Sequence, residues 1–251
     1  MPSRDEHAPE LPDVDLRAVA GLEPLSARQP LSRERIVDAA VEFIDTHGLP
    51  GLTMRRLGNE LGVEAMALYR YVPGKEELLD AVVETLVERM ERDDDVLDSP
   101  RDGWQDFLVR LAHGVRRVAL EHPKAFPLVA SRPPEAPWLR PPLRSLDWVE
   151  TFLAELVDEG FADAAAVGAY RAYTSFLLGH LLLEVSTHGA DLGPLDVLDD
   201  GTGDNAAVRA HPTVRRLRAQ LSQDHAAEEF EDALEELMMR LNLLRTEHLE
   251  S

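Results

Sequence analysis

Between Ser32 and Met90 the apolar residues recur every three or four positions, but in pieces, because Gly48-Leu-Pro-Gly51, Gly62 and Pro73-Gly74 interrupt them. Such punctuation favours short amphipathic helices joined by tight turns. Ser32 serves as N-cap to a first helix in which Ile36, Ala39, Ala40, Phe43 and Ile44 share a face that ends at Gly48. Thr53 caps a short second helix through Leu61, with Leu57 and Leu61 turned inward and Gly62 as its left-handed stop. A third helix covers about Glu64 to Tyr69, and from Lys75 the positions Leu79, Val82, Val83, Leu86, Val87 and Met90 form the stripe of a longer fourth. A tight glycine turn between two short helices is the geometry that places the second helix in a major groove of DNA. A three-helix bundle with no ligand has the same spacing.

The remainder is helical in pattern too. Trp104, Phe107, Leu108, Leu111, Val115 and Val118 open a helix after the acidic stretch 93–100, which reads as a loop. A short apolar piece follows over Ala125 to Val129. The cluster from Arg132 to Pro142 holds five prolines, which exclude a helix and leave an ordered loop or lid. Leu146, Val149, Phe152, Leu153, Leu156 and Val157 mark a helix stopped by Gly160, and a longer one runs from Asp163 to about His188. Residues 189–211 read as a flexible loop, Pro212 opens a short helix to Leu221, and the final helix spans about Asp224 to Glu250. With no alternating strand pattern and no internal repeat, the expected class is all-α. The expected domains are a disordered, proline-containing arm over 1–31, a three-helix helix-turn-helix domain over 32–78, and a larger helical domain over 79–251, to which the resemblance described below assigns ligand binding and dimerisation.

Charge is distributed unevenly. The 251 residues carry a net charge of -21, and residues 80–251 hold 17 basic against 33 acidic side chains. Within Thr53 to Lys75 the balance reverses, with Arg55, Arg56, Arg70 and Lys75 against Glu60 and Glu64. A DNA contact belongs on that basic island, since an acidic body repels phosphate and confines binding to a few aimed contacts. Cysteine is absent, which removes disulfides and thiolate chemistry. No apolar run is long enough for a membrane span and no signal peptide is evident, so a cytoplasmic location is expected. No phosphate loop, nucleophile elbow or His-Glu-x-x-His set is present, so neither an enzyme nor a cofactor is expected. His180 and Glu184, four apart with His113 in reach, make a conceivable metal pair, but the expectation is that no metal is bound.

The stretch from Leu52 to Leu79, with Ile36-Val-Asp-Ala-Ala40 and Gly48-Leu-Pro-Gly-Leu52 upstream, closely resembles the DNA-binding segment of the tetracycline-repressor (TetR) family over about residues 32–90. The resemblance implies that Thr53 contacts phosphate and that Arg55 reaches a base or phosphate. It places Ala65, Met66 and Ala67 at the groove-facing start of the recognition helix. There, small or apolar groups can touch thymine methyls but make no bidentate hydrogen bonds. It assigns phosphate contacts to Tyr69, Tyr71 and Lys75, the last at a helix amino end that also favours an anion. More weakly, Gly160-Phe161, Phe176 to Gly179, Glu184 and Ser131-Arg-Pro133 resemble the tetracycline-binding branch, which implies dimerisation through the two longest late helices. In that branch a magnesium-binding histidine stands where this chain has Leu128, and a carboxylate ligand falls at or beside Leu183, so a tetracycline-magnesium effector is not expected. A hydrophobic small molecule is expected instead, in a pocket walled by some of Trp104, Phe107, Phe126, Trp138, Trp148, Tyr170 and Tyr173. The function implied is a ligand-responsive repressor that binds palindromic double-stranded operator DNA as a homodimer. The alternative is a ligand- or partner-binding module of the same fold that has no operator.

Overall fold

The computed structural model describes residues 30–91, 102–132, 136, 138–140, 145–190 and 210–247. By its contacts the chain divides into Met1–Ser32 and Arg33–Ser251, and the architecture below is that of the second unit. Its regular structure is helical throughout the described residues: α1 (Arg33–His47), a single 3-10 turn (Leu49–Gly51), α2 (Met54–Leu61), α3 (Ala65–Leu68), α4 (Lys75–Glu91), α5 (Trp104–Glu121), α6 (Pro127–Ser131), α7 (Leu146–Asp158), α8 (Asp163–Thr187), α9 (Pro212–Leu221) and α10 (Ala226–Glu247). The short helix near 125 starts two residues later than the apolar pattern suggests, because Pro127 takes a first-turn position where its missing N–H is not needed.

The amino-terminal helices owe their lengths to local chemistry. α1 buries Ile36, Val37, Ala40, Val41, Phe43 and Ile44 on one face. The Thr53 hydroxyl accepts from the Arg56 N–H at 3.2 Å, satisfying one of the free donors at the start of α2. Gly62, at φ 67°, ends that helix in the left-handed region. Gly58 matters for a different reason: a Cβ there would lie 2.9 Å from the Val63 carbonyl oxygen, so only glycine lets the α2–α3 turn close this tightly.

α4 joins the two halves of the molecule. It packs against α1 and against α5 and α6. α8 buries a face that runs from Ala165 to Val185 and packs on α5, α7 and α10. Small residues at Ala165, Ala166 and Ala169 give way to Tyr173, Leu177, Leu181 and Val185 further along. Glu184 is held by Arg116 of α5, with Nε to Oε2 at 3.1 Å and Nη2 to Oε1 at 2.6 Å, and the guanidinium sits 5.1 Å from the Phe230 ring of α10. That pair takes up the carboxylate that the sequence offered as a metal ligand. His113 stands 3.5 Å from Glu231, and the rings of His113 and His180 flank Phe230. Among the described residues no three His, Asp or Glu side chains cluster as a metal site, and no helix is long and apolar enough to cross a membrane. The loop expected at 93–100, most of 189–211, most of the 132–142 cluster and the arm up to residue 29 lie outside the described residues.

Candidate nucleic-acid interface and effector chamber

The residues expected to meet DNA occupy the turn-bounded segment from Thr53 to Lys75, where α2 and α3 pack on each other. Two adjacent arginines divide their work. Arg56, though exposed, folds back on its own domain, its Nη1 donating to the Gly51 carbonyl at 2.9 Å and its Cζ lying 5.0 Å from the Phe43 ring. Arg55 is exposed, and Thr53, beyond its capping role, is exposed as well. In α3, Leu68 anchors the helix at full burial, Ala65 and Ala67 are half-buried, and Met66 is 74% exposed. Tyr69 and Tyr71 are exposed too, carried by a chain that bends back as the N–H groups of Tyr71 and Val72 both donate to the Leu68 carbonyl. Lys75 is the first residue of α4. An apolar tip rimmed by phenols and cations is chemically suited to a groove floor between two phosphate rails.

An apolar chamber of about 40 Å³ lies among α4, α5, α6, α7 and α8. α4 supplies Val83, Val87 and Met90; α5 supplies Val115, α6 Val129, and α8 Thr174, Leu177 and Leu178, while Ser145 and Trp148 close it from α7 and its cap. No described lining residue is charged. Of the seven aromatics named from sequence, Trp148 lines the chamber and stacks on Phe152 at 5.6 Å; Phe152 in turn meets Tyr170 at 5.8 Å and Tyr173 at 5.3 Å. The Tyr173 hydroxyl donates to the Leu108 carbonyl at 2.7 Å, and full burial pushes its pKa well above the usual phenol value. Burial likewise raises Tyr170 to about 12, against a hydrogen bond with Thr174 that acts to lower it. The other four rings stand elsewhere. Trp104 packs edge-on to Phe161 at 5.0 Å, Phe107 and Phe126 are closed into the core, and Trp138 is 76% exposed. Branched aliphatic residues, Val83, Val87, Val115, Val129, Leu177 and Leu178, form most of the wall. The sequence did contain the signal, since Val83, Val87 and Met90 recur at helical spacing on α4. A chelated magnesium does not suit these residues, because Leu128 is a buried leucine and Leu183 an exposed one.

The two regions are tied through α4. Arg132, directly after α6, reaches its first turns: Nε donates to Asp80 Oδ1 at 2.8 Å, Nη1 to Glu76 Oε2 at 2.7 Å, and Nη2 to the Glu76 carbonyl at 3.2 Å. Burial works against the guanidinium charge, but the hydrogen bonds and charges of Glu76 and Asp80 prevail and raise its pKa above the ordinary arginine value. At the opposite end of α4, Arg89 Nη2 donates to Asp38 of α1 at 2.8 Å.

Comparison with known proteins bears on both regions. Residues 36–82 match the family described as bacterial regulatory proteins, tetR family, and residues 98–239 match the tetracyclin repressor-like C-terminal domain. The HTH-type transcriptional repressor DrrR1 of Streptomyces coeruleorubidus is 34% identical over 149 residues, which is 59% of this chain but only 52% of that protein. The tetracycline repressor protein class D of Escherichia coli is 34% identical over 163 residues, covering 64% of this chain and 70% of that one. A possible TetR family transcriptional regulator from Streptomyces coelicolor A3(2) is similar in structure at a TM-score of 0.64 and 28% identity, over 86% of this chain and 99% of that one.

Proposed function

Because the chain belongs to the tetR family of bacterial regulatory proteins, we propose that it is a cytoplasmic, ligand-responsive repressor that binds a palindromic operator as a homodimer and is released by a small hydrophobic effector. The observation that carries this reading is the double duty of α4. Its first residue, Lys75, belongs to the surface suited to DNA, while Val83, Val87 and Met90 on the same helix wall the chamber. Occupying the chamber therefore acts on the helix that sets the DNA surface.

Thr53, Arg55, Tyr69, Tyr71 and Lys75 would hold the phosphates, and Ala65, Met66 and Ala67 would face the bases. Recognition helices spaced by about 34 to 36 Å fit successive major grooves. The effector is an uncharged, mainly apolar molecule, since the described lining offers the Ser145 and Thr174 hydroxyls and no ion partner. A drug-sized ligand needs several hundred cubic ångströms. The chamber of about 40 Å³ must therefore open to admit one, and α4 is among the walls that give. A coupling of roughly 1–3 kcal/mol would change operator affinity by about 5- to 150-fold.

The test is selection of duplexes from a random pool with the purified full-length protein, followed by gel retardation of the winner across a salt series. A palindrome whose retention falls steeply with salt is the expected result. A folded dimer that enriches no sequence at low salt would turn the reading to a ligand- or partner-binding module.

A further inference from the structure

A histidine sits where three helices of the two functional regions meet. His122, the residue after α5, places Nδ1 at 2.7 Å from Asp45 Oδ2 of α1 and Nε2 at 2.8 Å from Arg89 Nη1 of α4. Its side chain is 17% exposed. A guanidinium has only donors and stays charged at any physiological pH, so Nε2 must offer its lone pair. The ring proton then lies on Nδ1 and is donated to Asp45. Arg89 is thereby fixed between His122 and Asp38, and the end of α4 is fastened to both α1 and α5. The other Asp45 oxygen, Oδ1, is buried with no hydrogen-bond partner among the described residues, and Oδ2 is the oxygen that His122 holds.

We propose that His122 is a positioning residue whose protonation unfastens α4 from α1, making operator binding weaker in acid; the link to DNA rests on the repressor reading above. A second ring proton would aim an N–H at the Arg89 guanidinium, turning an acceptor into a like charge at 2.8 Å. The charged groups bonded to the ring are Asp45 from α1 and Arg89 from α4, and Asp38 of α1 holds the same Arg89. Lys124 donates to the Thr46 carbonyl at 3.2 Å, and Glu121, at the end of α5, pairs with Arg117. Asp45 would keep its bond to a protonated ring, so the bond that breaks is the one to α4. Histidine is the side chain suited to such a change between pH 5 and 8.

The experiment compares the full-length protein with His122→Gln, whose amide oxygen can accept from Arg89 without titrating, and with Arg89→Met, which removes the cation. Amide exchange is followed at pH 7.8 and 6.0, corrected for intrinsic rates. Protection over residues 82–90 should fall about five-fold in acid in the wild type, the lower end of known couplings. It should stay level in both variants, with α8 and α10 as the unmoved reference. Equal protection at the two pH values, or an equal loss in all three proteins, overturns the proposal. Retention of the palindrome selected at pH 7.8 is then measured at both pH values, and the wild type should weaken about five-fold relative to His122→Gln. A joint that loosens without that change severs it from DNA binding and overturns that half. Failure to select any palindrome tells against the repressor reading, while the exchange result still decides the joint.

Discussion

Replacing Arg132 with methionine keeps the aliphatic stem and removes the guanidinium that spans α6 and α4. The loss can be worked from exposure. Glu76 is 73% exposed, so its arm contributes at most about 1 kcal/mol. Asp80 is 29% exposed and Arg132 13%, so the charge-assisted bonds between them contribute about 1.5–3 kcal/mol, and Asp80 loses them on substitution. A loss of about 2 kcal/mol follows, which for a chain of this size lowers Tm by roughly 4–8 °C. Thermal unfolding followed by far-ultraviolet circular dichroism measures it, and a double-mutant cycle with Asp80→Asn isolates the pair. A drop below about 1 °C, or substitutions that add without coupling, would refute the reasoning and demote the clamp to an ordinary surface ion pair.

Four further outcomes are expected. Gly58→Ala drives a Cβ against the Val63 carbonyl and should lower stability by about 1–3 kcal/mol while abolishing DNA retention; an unchanged Tm would show that the turn tolerates the methyl. Tyr69→Ala, at an exposed site, should abolish retention with Tm near that of the wild type, and intact retention would move the recognition surface elsewhere. Val87→Phe overfills the chamber, so it should cost about 1–3 kcal/mol and weaken operator binding without effector, the two read by melting and gel retardation; no change in either sinks the α4 lever. Tyr170 has its folded pKa raised to about 12, so the folded state holds its proton above pH 10 when the unfolded chain has lost it. Its contribution to stability is therefore full below pH 10 and declines as pH rises towards 12, and Tyr170→Phe should make the alkaline decline shallower, with Tyr173 keeping part of it.

Local chemistry made the amino-terminal half legible. Thr53, Gly62 and Lys75 act through nearest neighbours along the chain, so spacing places them at the ends of α2 and the start of α4. Pro212 and Leu221 bound α9 for the same reason. Gly58 was not legible, because its requirement comes from the Val63 carbonyl and arises only once the turn is closed. The chamber was harder still. Aromatic character identifies large side chains, but not whether a ring such as Trp104 meets Phe161 or faces a void. The division of labour between Arg55 and Arg56 also depends on a distant ring, Phe43. Pairings across long sequence separations, such as Arg116 with Glu184 and Arg132 with Asp80, leave no periodic trace.

On the proposed effector reading, the narrowness of the chamber would make the protein a gauge of ligand size as well as of polarity. A guest small enough for the chamber as it stands would settle among the valines without moving α4, and its presence would go unannounced. Only a bulkier guest forces the walls apart. Small apolar molecules should thus act as silent occupants that blunt the response to a larger one, and trimming a true inducer should convert it by degrees into an antagonist.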